Sequence, residues 1–209
     1  MIGLVYKDLM VMKKTLLLYM VIFAVYGYMS IAYDQGGLLY TMVLILSSMV
    51  PVSTIAYDER SKWDRIANTT PLSRKEIVVA KYLLAVTLTV FSVVVCFVIY
   101  LFDKRIPISE NLIMCFSLVL MGMIYQALLL PVNIKFGAEK GRNIMLAIMF
   151  APIVLIMMIS KTGIVDFASI EMFLTNNEHL IPYILVAFVA VLYTASIMLS
   201  VKIYENKDL

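Results

Sequence analysis

Six long stretches of this chain contain no Asp, Glu, Lys, Arg or His. A charge at the centre of a bilayer costs about 2.5–3.5 kcal/mol on insertion scales and usually marks an ion or proton pathway. An ion-coupled carrier is therefore disfavoured. Histidine occurs once, as His179 beside Glu178 and outside any H-E-x-x-H frame, so no metal set is expected, and with no charged residue in the stretches an intramembrane protease lacks its catalytic groups. No glycine belongs to a G-x-x-x-x-G-K-[ST] loop that could cradle phosphates. If nucleotide drives this protein, another chain hydrolyses it. Cysteine is limited to Cys96 and Cys115, both inside the charge-free stretches; they read as buried thiols, with a bridge between neighbouring helices as the alternative. There is no convincing internal repeat, low-complexity tract or domain boundary, so residues 1–209 are expected to form a single membrane domain.

What is present is hydrocarbon. Hydrophobic residues make up 63% of the chain against about 45–50% in a soluble domain, and the mean hydropathy is +0.95. The charge-free runs cover residues 15–33, 37–56, 82–102, 111–132, 143–160 and 180–201. Each approaches or exceeds the roughly 20 residues that cross about 30 Å of hydrocarbon. The expected fold is all-α, with six transmembrane helices. The first run ends in Tyr-Asp-Gln without a small-residue cleavage pattern, so it counts as a span and not as a signal peptide.

Basic residues orient the chain. With the N-terminus in the cytoplasm, only Lys104, Arg105 and Lys161 of the 17 lysines and arginines fall outside, and an even number of spans returns the C-terminus to the cytoplasm. The net charge of +3 is thus sorted across a plasma membrane and calls for no nucleic-acid partner. Within the spans Gln126, Asn133, Ser47 and Ser48 are the main polar groups, read either as interhelical hydrogen bonding or, for Gln126, Ser47 and Ser48, as a substrate path. Pro51, Pro131 and Pro152 are expected to bend their spans.

Residues 1–14 carry Leu4, Val5, Leu9 and Met12 on a broad apolar surface, with Lys7, Asp8 and Lys14 clustered elsewhere, as in a short interfacial helix whose lysines reach anionic lipid. The longest inner loop reads YDERSKWDRIANTTPLSRKEIVVAKYL from Tyr57 to Leu83. A short helix is expected from Asp58 to Ala67, then a break at Thr70-Pro71. Ser73 and Glu76 then form an S-x-x-E capping box that opens a helix leading into the third span. Asn68-Thr69-Thr70 matches a glycosylation acceptor but faces the cytoplasm in this topology.

This loop resembles that of the second-type ATP-binding-cassette exporter permeases, in which an acidic stretch after the second span leads to Pro71-Leu72-Ser73-Arg74-Lys75-Glu76-Ile77-Val78 and then Lys81-Tyr82. The second inner loop, with Pro131, Lys135, Phe136, Gly137, Glu139, Lys140 and Arg142, is similar to the small six-span branch of that family, which includes exporters of phenol-soluble modulins and antimicrobial peptides. The opening Lys7-Asp8-Leu9 followed by Lys13-Lys14 is similar too. The resemblance implies a half-transporter paired with a second copy or close paralogue and bound to cytoplasmic ATPase subunits that carry ATP and Mg, with no cofactor on this chain. It implies an N-terminal elbow helix at 1–14 and a coupling helix whose Asp58, Glu59, Arg60, Lys62, Trp63 and Asp64 contact the ATPase. Phe136, Gly137, Glu139 and Lys140 would form a second contact loop, and the cargo would be amphipathic peptide or lipophilic. A non-transporting scaffold, sensory or immunity subunit that docks an ATPase is the alternative. In the outer segment Lys161 to His179, Ser169 could cap a short gate helix, with a plain loop as the other reading.

Overall fold

A computed structural model of the protein describes residues 2–33, 36–67, 73–101, 107–162 and 180–207. The described residues form helices α1 (Ile2–Val11), α2 (Lys13–Tyr33), α3 (Gly36–Arg60), α4 (Trp63–Ala67), α5 (Arg74–Leu101), α6 (Ile108–Thr162) and α7 (Ile181–Glu205). Among the described residues five stretches are long and apolar enough to cross a membrane: Lys13–Tyr33, Met42–Arg60, Arg74–Leu101, Ile108–Gly137 and Ile181–Glu205. The expected crossing at 143–160 lies in the second arm of α6, where several side chains are outside the described residues. The gate segment around Ser169 lies outside them too, as do Asn68, Thr69, Thr70 and Pro71.

Many polar side chains are buried beside the apolar core while large apolar ones face outward, unlike a soluble bundle. Ser200 and Asn133 are 0% exposed and Gln126 1%, whereas Val191 and Met198 on α7 are 69% and 73% exposed. That distribution is stable where the surrounding solvent is hydrocarbon and buried polar groups find partners on neighbouring helices. Tyr82 on α5 provides the clearest case. Its hydroxyl lies 2.6 Å from Ser196 Oγ and 2.7 Å from Ser200 Oγ on α7, and Ser196 donates onward to the Ala127 carbonyl of α6. The Tyr193 hydroxyl donates to the Tyr82 carbonyl, and the two rings meet edge to face at 5.3 Å. Three helices are joined at one point. Near the other end of α5, Tyr100 stacks on Tyr40 at 4.9 Å and shares a hydrogen bond with Ser30 of α2. Cys96 and Cys115 are buried free thiols, not a bridge.

The 55-residue α6 is two helical arms joined at Gly137, whose φ of 79° and ψ of 169° lie in a region open essentially to glycine. Residues 133 and 141 would be about 12 Å apart along a continuous helix. A Cβ on Gly141 would instead lie 3.3 Å from the Asn133 backbone. The chain thus reverses at Gly137, and the absence of a side chain at Gly141 lets the arms touch. Lys135 and Phe136, expected in a loop, sit in the last turn before this reversal.

The Tyr82 junction yields a stability expectation. Tyr82→Phe removes the hydroxyl shared by Ser196 and Ser200, and interhelical hydrogen bonds in membrane proteins contribute about 0.6 kcal/mol on average, up to about 1.7. A loss of about 1 kcal/mol in unfolding free energy is expected, measured in one detergent against the unmodified chain.

Candidate functional site

At one end of the bundle four charged side chains close into a ring. Lys81 on α5 places Nζ 2.7 Å from Asp8 Oδ2 and 2.5 Å from Asp58 Oδ2; Lys7 lies 2.8 Å from Asp58 Oδ1 and 3.1 Å from Asp8 Oδ1. Each charge touches two of opposite sign, and the ring carries no net charge. Asp8 is 2% and Lys81 6% exposed. Ions so far from water persist only when paired and hydrogen-bonded. The ring pins α1 to the end of α3 and the start of α5.

The segment from Asp58 to Ala67 differs from the single helix expected. Asp58, Glu59 and Arg60 finish α3, Ser61 and Lys62 form the break, and α4 is the five residues Trp63–Ala67. At the end of α3 Ser61 donates from Oγ to the Tyr57 carbonyl at 2.8 Å, and the Lys62 amide turns back to the Glu59 carbonyl. Lys62 adopts φ 53°, the left-handed position that often ends a helix and usually holds glycine or asparagine. No Gly or Pro signals this stop, which is why periodicity alone ran through it. Trp63 then tucks under the ring, with Lys7 Nζ 4.1 Å from its ring centroid.

These placements sort the expected ATPase contacts. Asp58 turns inward to the two lysines, whereas Arg60 and Lys62 are exposed and Glu59 and Trp63 half-buried. Asp64 lies on α4, its side chain outside the described residues. Glu59 faces the apex of α6: a Cβ on Gly137 would stand 2.7 Å from its Oε1. The two inner regions, far apart in sequence, are thus adjacent, and beside Gly137 the side chains of Phe136, Glu139 and Lys140 are exposed. The capping box forms as expected, with the Ser73 amide donating to Glu76 Oε2 at 2.9 Å and the Glu76 amide to Ser73 Oγ at 3.2 Å. Next to it, Arg74 donates to the carbonyls of Glu205 at 2.6 Å and Lys207 at 3.2 Å, so a cation caps the negative end of α7.

The polar groups considered for a pathway are all buried within the subunit. Gln126 donates to Thr89 Oγ1 at 2.6 Å and to the Ala85 carbonyl at 3.2 Å, joining α6 to α5. Ser47 and Ser48 donate back to carbonyls of their own helix. Interhelical and local bonding accounts for their donors in this conformation, while Gln126 Oε1 is buried without a hydrogen-bond partner among the described residues. Among the described residues no group of three or more His, Cys, Asp or Glu is placed to hold a metal. Lys7, Asp8 and Lys81 were not singled out from sequence as a site. The signal was there: Ile77, Val78, Lys81, Ala85, Leu88 and Ser92 follow helical spacing, so Lys81 falls on the buried stripe of α5 and needs an acid from elsewhere.

The chain thus has a membrane body and one charged end built from segments that sequence motifs had already marked. A family model described as ABC-2 family transporter protein matches residues 3–205. The chain belongs to the ABC-2 transporter membrane family. No curated protein and no solved structure matches it. Membership makes it a multi-pass membrane permease of an ABC transporter, a family in which the ATPase is typically separate.

For this ABC-2 permease the ring predicts an asymmetric set of variants. Lys81→Met takes from buried Asp8 its closest cation and leaves Asp8 and Asp58 sharing Lys7, and breaking a buried pair costs about 3–5 kcal/mol. Asp8→Asn combined with Lys81→Met keeps the Lys7–Asp58 pair and is expected to recover most of that loss, as read from unfolding midpoints in detergent. Gly137→Ala strains the apex and drives a methyl group against Glu59, for an expected loss of about 1–3 kcal/mol in the same assay.

Proposed function

We propose that this chain is the membrane half of an ATP-driven exporter that pairs with a second copy or close paralogue and moves amphipathic or hydrophobic cargo, peptides among them, out of the cell. The observation that carries this reading is the ring of Lys7, Asp8, Asp58 and Lys81, which joins the N-terminal elbow, the end of the second span and the start of the third immediately behind Trp63. A device of this form suits a permease that receives force at its cytoplasmic face. Both termini face the cytoplasm in this proposal: the second arm of α6 is the fifth crossing, which lets α7, the sixth, return the C-terminus there.

The mechanism is mechanical. Trp63, Glu59, Arg60, Lys62 and Asp64 meet a groove on the ATPase, with Phe136, Gly137, Glu139 and Lys140 alongside as a second contact. Closure of the ATPases around ATP and Mg displaces α4, and the displacement passes through the ring to α1 and α5 together. Asp58 contributes from behind the contact surface, holding it to the spans. Gln126, Ser47 and Ser48 would line a path only in a state that parts their helices. A largely uncharged path suits cargo that carries its own apolar face.

Two measurements test this. Trp63→Ala and Glu59→Ala should leave membrane insertion intact and weaken co-purification of the ATPase at least tenfold. Full retention of the ATPase by both variants removes the docking surface named here. Separately, amphipathic helical peptides should stimulate ATP hydrolysis by the reconstituted complex, and a response to a small ion without a response to peptide overturns the cargo class.

A further inference from the structure

A second feature of the molecule begins beside the charged end, on the other side of α1. Between α1 and α2 on one side and α3 and α5 on the other runs a lateral groove of about 500 Å³. Its wall is almost wholly hydrocarbon, from Leu9 and Leu16 through Leu46 and Val50 to Phe23 and Phe91. Two of its hydroxyls are already used, Thr87 bonding the Leu83 carbonyl and Ser47 that of Leu44. Among the described residues the one charged group in the lining is Lys13, at the junction of α1 and α2. From Lys13 to Phe23 is ten residues, about 15 Å of helix. That is half of a hydrocarbon core of about 30 Å, the depth of one leaflet.

We propose that this groove holds one acyl chain of an anionic membrane phospholipid, with the phosphate at Lys13 and the tail running to Phe23. Charge, length and wall chemistry each point to that occupant: a cation at the interface end, one leaflet of depth and no unsatisfied polar atom offered along the described wall by Thr87 or Ser47. Basic pockets between spans at the membrane surface are suited to anionic headgroups. Tyr6, 59% exposed and also in the lining, adds an amphipathic ring beside the headgroup position. Bound lipid would fill the space beneath the elbow and steady α1 against the bundle. The inference rests on the chain's membrane character and not on its cargo or on ATPase docking.

The test uses the full chain in nanodiscs that contain phosphatidylcholine and phosphatidylglycerol, each in turn carrying a photoreactive tail. Phosphatidylglycerol should label groove residues on α2 and α5 in preference to phosphatidylcholine. Lys13→Gln should reduce that preference about fivefold, in line with one lysine near the surface. Lys14→Gln, which removes the same charge from an exposed position outside the lining, should change it little. Equal labelling by the two lipids, or equal effects of the two lysine variants, overturns the proposal. Cross-links between two copies of the chain at Phe91 in place of lipid adducts would also overturn it, by assigning the groove to a subunit interface. Unfolding midpoints of both variants, measured in parallel, show whether a lost preference reflects the groove or a loss of fold.

Discussion

Two charges that have left water, Asp8 and Lys81, constrain everything around them. A pair at a protein surface contributes about 0–1 kcal/mol and can open without consequence, but removing one member of a buried pair costs about 3–5 kcal/mol. Lys81 and Asp8 are of the second kind, and through Lys7 and Asp58 they join three helices. Because each charge has two partners, moving any one helix strips contacts from at least three of the four. At this level α1, the end of α3 and the start of α5 behave as one body, and the bundle's compliance has to lie elsewhere.

Part of that compliance is visible in how α4 is attached. Trp63 is held by a cation over its ring, an interaction of about 0.5–2 kcal/mol that tolerates rotation. Ala67 is packed in the core cluster with Ile77, Val78 and Tyr204. Dispersion contacts and a π face allow a short helix to pivot about Ser61 and Lys62. Directional ion pairs behind it do not, and they are what would carry a displacement of α4 into the spans.

The sequence made the membrane class, the helices and the charged segments legible because hydrocarbon length and capping chemistry are local properties. Ser73 and Glu76 are three residues apart and form the bonds their types require wherever the helix sits. Asp58 could not be placed that way. Helical periodicity assigns it a face of its own segment, but that face turns inward only because Lys7 and Lys81 approach from α1 and α5. The stop at Lys62 was hidden for a related reason, since a lysine in the left-handed region carries no sequence signal of its own. The reversal at Gly137 was half legible: a glycine among charged residues marks a turn, yet the contact with Glu59 depends on how α3 and α6 meet.

Small residues complete the argument because they set how closely helices can approach. A Cβ on Gly122 would come within 2.9 Å of Thr89, and one on Gly27 within 3.0 Å of Ile99. Without a hydrophobic drive between helices in lipid, close packing and interhelical hydrogen bonds must supply the association. The Thr89 that closes on Gly122 is also the acceptor for Gln126, so one approach of α5 to α6 serves both. Away from the ring, then, the bundle is held by many weak contacts that can be exchanged one at a time, while at the charged end it is held by a few that must move together. That division leaves the spans freer to shift against one another than the end where the four charges meet.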